Sequence, residues 1–203
     1  MSKNASERAK PAGAAVLDPE VTDAIATALL EEIADKGYLG MSMDGLARRA
    51  GVGKGAIYRR WPSKEHMTVE VLKQVSHTEV ELPDRGSFRE DLRQAITDVR
   101  GWLSEGRMGS IFPDILAEGM RSEAMAGLLT EGIAGPRRRR GMAVLDRAVA
   151  RGELSPDADR ELLLDLMGAL VFWRLIARRT PVTEDHIDAI VDVVLAEAQR
   201  PTA

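Results

Sequence analysis

Residues 42–64 read SMDGLARRAGVGKGAIYRRWPSK: two short helix-like segments joined by Ala50-Gly51-Val52-Gly53. The second segment carries Lys54, Tyr58, Arg59 and Arg60 within two turns. This is the layout of a helix-turn-helix, whose second helix enters the major groove of DNA. Gly51 sits where the chain leaves the first segment, and glycine accepts a positive φ there without penalty. Ala47 and Ala50 are small enough for a close helix crossing, and Leu46, Val52 and Ile57 supply a miniature core. Lys64 opens the following helix, where its ammonium and the free backbone N–H groups can both meet a phosphate. Arginine pairs bidentately with guanine, whereas Ala56 offers only a methyl group, suited to thymine. Gly45 is a poor helix former, by about 1 kcal/mol against alanine. It either allows a close approach to DNA or is tolerated.

The charge supports this reading once it is divided. Residues 38–75 hold seven basic and three acidic side chains, a formal +4, which leaves −8 on the rest of a 203-residue chain whose total is −4. Local charge decides phosphate affinity, and an acidic remainder disfavours indiscriminate adhesion. Cysteine is absent, so disulfides and thiolate chemistry are excluded and a reducing, cytoplasmic setting is expected. The start of the chain lacks a signal-peptide pattern. The most apolar stretch, residues 162–176, is too short to span a bilayer and is interrupted by Asp165 and Arg174, so no membrane partner is expected.

Outward from the motif, start and stop signals parse the chain into about nine helices. Asp18-Pro19-Glu20 is a helix start, and Gly37 supplies the stop. Ser42 and Ser63 cap the next helices, Val52 or Gly53 opens the third, and Trp61-Pro62 ends it. Leu82–Gly86 is a linker, and Ser87-Phe88-Arg89-Glu90 matches a capping box whose helix ends near Gly106. Pro113 is expected to open a short helix to Met120. Another helix begins near Ser122, and Gly135-Pro136 should break or kink it before it resumes to Ala150. Helices 159–178 and 183–199 complete the set. No segment alternates with period two, so the fold class is all-α. Three regions are expected: a disordered arm over 1–17, a DNA-binding domain over 18–82, and an effector-binding and dimerisation domain over 83–203.

The helix over 159–178 has almost no polar face. A helix apolar all round is buried all round. One side can pack on its own domain while the other needs a partner subunit, so the economical reading is a twofold homodimer through helices 159–178 and 183–199.

The whole run from Gly37-Tyr38 through Leu46-Ala47, Ala50-Gly51-Val52, Gly55-Ala56-Ile57-Tyr58 and Trp61-Pro62-Ser63-Lys64-Glu65 resembles the TetR family of bacterial transcriptional regulators. Beyond Leu82 the likeness fades, although Ala148–Leu154 followed by an aspartate-led helix is similar to the regulatory domain of many members. The resemblance implies base or backbone contacts at Lys54, Gly55, Ala56, Tyr58, Arg59 and Arg60, with Tyr58 on a phosphate, and backbone contacts at Ser42 and Met43. Many members carry Ser or Thr at the position of Ala56, so readout is expected to fall on Lys54, Arg59 and Arg60. The implied function is a ligand-responsive repressor that binds a pseudo-palindromic, double-stranded operator as a homodimer. A TetR-like activator or ligand-independent regulator is the alternative; an all-helical interaction module or enzyme is a distant one.

Bulky apolar residues of the C-terminal part are candidates to line a pocket for an unknown small apolar or amphipathic effector: Trp102, Met108, Phe112, Met120, Met125, Met142, Met167, Phe172 and Trp173. Arg137–Arg140 is a run of four arginines. Four consecutive helical residues point in four directions, so ion pairs with the acidic C-terminal half are expected instead of a second nucleic-acid patch. His66, His77 and His186 are scattered without companion ligands, and no catalytic constellation stands out. Neither a metal, a cofactor nor an enzymatic activity is expected.

Overall fold

The computed structural model describes residues 17–76, 80–104 and 107–200. The expected arm (but for Leu17), His77 and the helix end at Gly106 fall outside them. Regular structure among the described residues is entirely helical: α1 (Pro19–Gly40), α2 (Met43–Arg49), α3 (Lys54–Tyr58), α4 (Lys64–Val75), α5 (Phe88–Ser104), α6 (Met108–Gly119), α7 (Glu123–Leu129), α8 (Gly135–Ala150), α9 (Arg160–Phe172) and α10 (Glu184–Ala198). A π turn at Thr130–Ala134 fuses α7 and α8 into one rod, and another at Trp173–Ala177 extends α9. Among the described residues this makes nine helices, with α1 counted as one across its break at Gly37.

Local chemistry sets most helix starts. Side-chain oxygens of Asp18, Ser42, Ser63, Ser122, Asp159 and Thr183 each accept from a first-turn N–H of the helix that follows, satisfying donors that the helix leaves without a partner. Ser87 does the same for Glu90 at 3.3 Å. Gly152, with φ 74°, turns the chain out of α8.

Three boundaries depart from the expectation. α3 ends at Tyr58, three residues before Trp61-Pro62. Trp61 is 7% exposed, and burying that large side chain takes precedence over another helical turn. α6 starts at Met108, so Pro113 is its sixth residue and not its first. Burial of Met108, Ile111 and Ile115 outweighs the ladder bond the proline removes. The interruption expected at Gly135-Pro136 lies one turn earlier, as the π turn Thr130–Ala134, and α8 resumes at Gly135 with Pro136 in its first turn. In the π turn before it, the Gly135 N–H reaches back to the Thr130 carbonyl. That wider ring absorbs the irregularity a proline introduces.

The apolar packing does not follow chain order. One cluster joins α1–α4 to Met108, Ile111 and Ile115 of α6 and to Met125, Leu129 and Ile133 of the α7 rod. The second joins α5, α8, α9 and α10. Trp102 and Phe112 pack against both, with their rings edge-to-face and centroids 4.7 Å apart.

The second cluster is pinned by a buried carboxylate. Asp91, 1% exposed at the start of α5, accepts from Arg151 Nη2 at 2.8 Å, the Arg85 backbone N–H at 2.8 Å and Arg147 Nε at 3.4 Å. Burial acts to raise its pKa, but these bonds outweigh burial and hold it below the usual carboxylate value. A depressed native pKa gives stability that is present above the unfolded value, near 3.9, and is lost as pH falls through the native one. Asp91→Asn is therefore expected to cost about 2 kcal/mol at neutral pH, since it leaves two half-buried guanidiniums short of their partner. Urea melts should show the gap to wild type closing below about pH 4.

Candidate nucleic-acid interface and effector cavity

The helix-turn-helix is held to α1 by a second buried carboxylate, Glu32, 1% exposed. It pairs with Arg49 Nε at 3.0 Å and with Lys36, while Arg49 also reaches Asp35 at 2.7 Å and Glu31 at 3.6 Å. Gly45 is what lets α2 lie this close. A Cβ there would stand 2.4 Å from Glu32 Oε1 and 3.1 Å from Ser42 Oγ. The sequence left two roles open for this glycine, and its position against α1 supplies a third: it is a packing contact inside the domain. Gly51 turns the chain with φ 68° and Gly53 caps α3. Ile57, fully buried, anchors α3 to the core, leaving Lys54, Gly55, Tyr58 and Arg59 exposed.

The basic side chains of this motif divide sharply. Arg60 is turned inward: Nε donates to Thr22 Oγ1 at 2.8 Å, Nη1 to the Ala56 carbonyl at 2.9 Å, and Nη2 to the Asp18 carbonyl at 2.9 Å. It fastens α3 to the start of α1. Lys64 is also committed. Its ammonium donates to the carbonyls of Tyr38 and Met41 and lies 4.1 Å from the Tyr38 ring centroid. Burial lowers its pKa, against the nearby Glu65, Glu118 and Asp114 carboxylates. The sequence placed both residues on DNA; in the structure their cationic groups are spent on the domain itself. Lys54 pairs with Asp44 at 2.7 Å across an exposed surface, a contact weak enough to exchange for a phosphate. Ser42 is exposed and accepts from Gly45 N–H at 3.1 Å, which leaves its hydroxyl proton to donate. Met43 is half-buried against the first core, as is Ala56 beneath Arg60. Among the described residues, the guanidiniums of Arg48 and Arg59 are exposed and have no hydrogen-bond or ion-pair partner. Arg48 was missed by sequence reasoning, because nothing in Arg48-Arg49 tells which of the pair faces the acids of α1.

Three cavities have Trp102 in their walls. One of about 560 Å³ lies between α5, α8 and α9, with Trp102, Met167, Phe172 and Trp173 in its wall. A second of about 550 Å³ meets Trp102 and Met108, and a third of about 400 Å³ meets Trp102, Phe112 and Met120. Met125 and Met142 line none of these three. Met125 is fully buried in the first core and Met142 packs on the second. Arg138 pairs with Glu161 and with Asp165, at 3.0 Å for the latter, as the ion-pair expectation had it. Arg137 and Arg140 do not point apart. Residues three apart share a helix face, and both reach Asp98 and line the cavity of about 560 Å³.

Residues 25–71 match the family described as bacterial regulatory proteins, tetR family, and residues 82–194 match the tetracyclin repressor-like C-terminal domain. The chain belongs to the TetR family of transcriptional regulators. The DNA-binding transcriptional repressor TetR of Mycobacteroides abscessus is 30% identical over 182 residues, 89% of this chain and 94% of that protein. An uncharacterized HTH-type transcriptional regulator of Mycobacterium tuberculosis is 29% identical over 198 residues, 95% of each. The FadR regulator of Bacillus subtilis, solved in complex with stearoyl-CoA, shares the fold with a TM-score of 0.65 at 18% identity, over 87% of this chain and 97% of that one. As a TetR-family member, the chain is a DNA-binding regulator and not a catalyst. Among the described residues, no His, Asp or Glu cluster could hold a metal ion, and no helix is long and apolar enough to cross a membrane.

Replacing Gly45 by alanine should force α2 off Glu32. The expected loss is about 1–3 kcal/mol of stability, read as a lower urea midpoint at unchanged slope; an unchanged midpoint would refute the contact.

Proposed function

We propose that two copies of this chain bind a pseudo-palindromic operator and that a small apolar or amphipathic molecule, bound in the C-terminal half, releases them. The carrying observation is a recognition helix with exposed Lys54, Tyr58 and Arg59 in the same chain as a cavity of about 560 Å³. Lys54 and Arg59 meet base edges, with Gly55 and Ala56 allowing close approach. Ser42, Met43, Tyr58 and Arg48 contact the phosphate backbone. The similarity to a mycobacterial repressor and the acyl-CoA-bound state of a regulator with the same fold support release by a ligand. A ligand that binds one spacing of the two helices better than the other shifts the population toward it.

Pairing is supported by the face α9 leaves uncovered. Its inner side buries Leu163, Met167 and Val171, while Leu162, Leu170 and Trp173 are 38%, 38% and 60% exposed, and Val193 on the adjoining α10 is 48% exposed. A second copy related by a twofold axis covers such a surface with itself and holds the two recognition helices one DNA turn, about 34 Å, apart.

In a gel shift with the DNA upstream of its own gene, Arg48→Ala combined with Arg59→Ala is expected to weaken binding at least about tenfold and to flatten the salt dependence by about one logarithmic unit per lost phosphate contact. Arg60→Ala should instead show chiefly as a lower melting temperature. Unchanged DNA binding in the double variant refutes the assignment. Leu170→Glu should turn a dimer into a monomer by sedimentation and abolish tight operator binding; a wild-type monomer that still binds DNA tightly refutes the pairing.

A further inference from the structure

The cavity of about 560 Å³ is apolar along most of its wall, with Val99, Leu164, Met167 and Phe172 among its lining residues, yet three arginines reach it. Arg137 and Arg140 share one carboxylate between them, Asp98 on α5. Arg140 holds it with Nη1 at 3.1 Å and Nη2 at 3.3 Å, and Arg137 Nη1 stands 3.9 Å away. The third arginine of the wall, Arg138, is paired with Glu161 and Asp165. Among the described residues, Asp98 is the only carboxylate in the wall itself, so Arg137 and Arg140 share it beside a largely apolar surface, where a cation is costly unless paired. Three buried donors on this wall have no acceptor: Nε of Arg137, Nε of Arg140 and the indole N–H of Trp102. Burial brings the Arg137 pKa down to about 10, opposed by Asp98 and reinforced by Arg140.

Arg137 also touches the DNA-binding half. Its Nη2 donates to the carbonyl of Ser76, the C-cap of α4, at 3.1 Å, and its guanidinium lies 3.8 Å from the centre of the Trp102 ring. A cation at a helix C-terminus stabilises that end through the carbonyls it meets. Helix α4 begins at Lys64, just after the recognition helix.

We infer that this cavity binds an amphiphile with a monoanionic carboxylate head, received by Arg137 and Arg140 with the apolar chain along Val99, Leu164, Met167 and Phe172, and that Arg137 reports occupancy to the DNA-binding half by loosening from the Ser76 carbonyl. This deepens, and rests on, the reading of the C-terminal cavity as an effector site. A carboxylate can meet guanidinium donors that the shared Asp98 leaves without an acceptor, whereas a neutral chain gains only the apolar wall and a cationic one is repelled.

The test uses the full chain, with dodecanoate, dodecan-1-ol and dodecylamine as probes below their micellar concentrations, followed by tryptophan fluorescence and melting temperature. Dodecanoate is expected to bind saturably, one per chain, about tenfold or more tighter than the alcohol, and the amine not to bind. Arg140→Gln should lose most of that advantage while leaving the alcohol unchanged. Asp98→Asn removes the competing carboxylate and should tighten dodecanoate, a gain that damaged folding cannot mimic. Gly168 lines the cavity on α9, and a Cβ there meets nothing within 4 Å. Gly168→Leu should therefore abolish binding of both acid and alcohol without lowering the melting temperature. In the gel shift, dodecanoate should release wild-type protein from DNA, whereas Arg137→Gln, which lacks the Ser76 contact from the start, should bind DNA weakly with or without it. Equal affinities for acid and alcohol, or an Arg140→Gln variant that keeps the preference, would overturn the inference. Arginine-dependent dodecanoate binding without DNA binding would instead sink the regulatory model and leave the cavity assignment standing. Arg59-dependent DNA binding with a charge-blind cavity would do the reverse.

Discussion

Helix α1 changes direction at Gly37, whose φ of 73° and ψ of 163° lie outside the helical region, and both halves of the molecule are tied at that break. A broken helix exposes backbone groups that must find other partners. The Tyr38 N–H finds the carboxylate of Asp114 on α6, and the Tyr38 carbonyl finds the ammonium of Lys64 at the start of α4. Helices α1, α4 and α6 thus converge on one residue. A side chain at Gly37 would have to adopt a strained φ and would bring its Cβ to 3.4 Å from Asp114 Oδ2. Burial lowers the Lys64 pKa, a sign that this junction is shielded from solvent, where electrostatic contacts are poorly screened.

The junction explains why packing departs from chain order. With Asp114 bound to Tyr38, the apolar face of α6 lies on α1, and the α7 rod follows it into the same core as α4. A displacement of α6 therefore moves against the DNA-binding half directly and not through the linker at 82–86. Trp102 and Phe112 touch both cores and stand where the cavities meet. Under the proposed effector role, a ligand wedged beside Trp102 would act on this seam between the halves.

Much of the fold was legible because its signals are local. An Asp, Ser or Thr before a helix caps it through its own oxygen, within three residues, whatever lies elsewhere. Gly37, Gly51 and Gly152 adopt positive φ at the turns the chain needs. Pro113 was misread because its cost is set by distant partners: burial of Ile111 and Ile115 carries α6 through it, whereas the interruption read from Gly135-Pro136 is there as the π turn just before α8. Arg137 and Arg140 are a different case. Their three-residue spacing was in view, and a run of four drew attention from the pair that shares a face.

The sequence by itself determined the helical class, the start of almost every helix, the helix-turn-helix and the apolar helix α9, because each rests on periodicity or on bonds within one turn. Only the tertiary structure decided what each charge does. Arg48 and Arg49 are adjacent and chemically identical, yet one guanidinium is exposed and the other closes on Glu31, Glu32 and Asp35. Arg59 and Arg60 divide the same way, and Lys64 is spent on two carbonyls at the end of α1, those of Tyr38 and Met41. A long cationic side chain goes to whatever acceptors the fold brings within reach, and those acceptors come from helices that the local sequence cannot see.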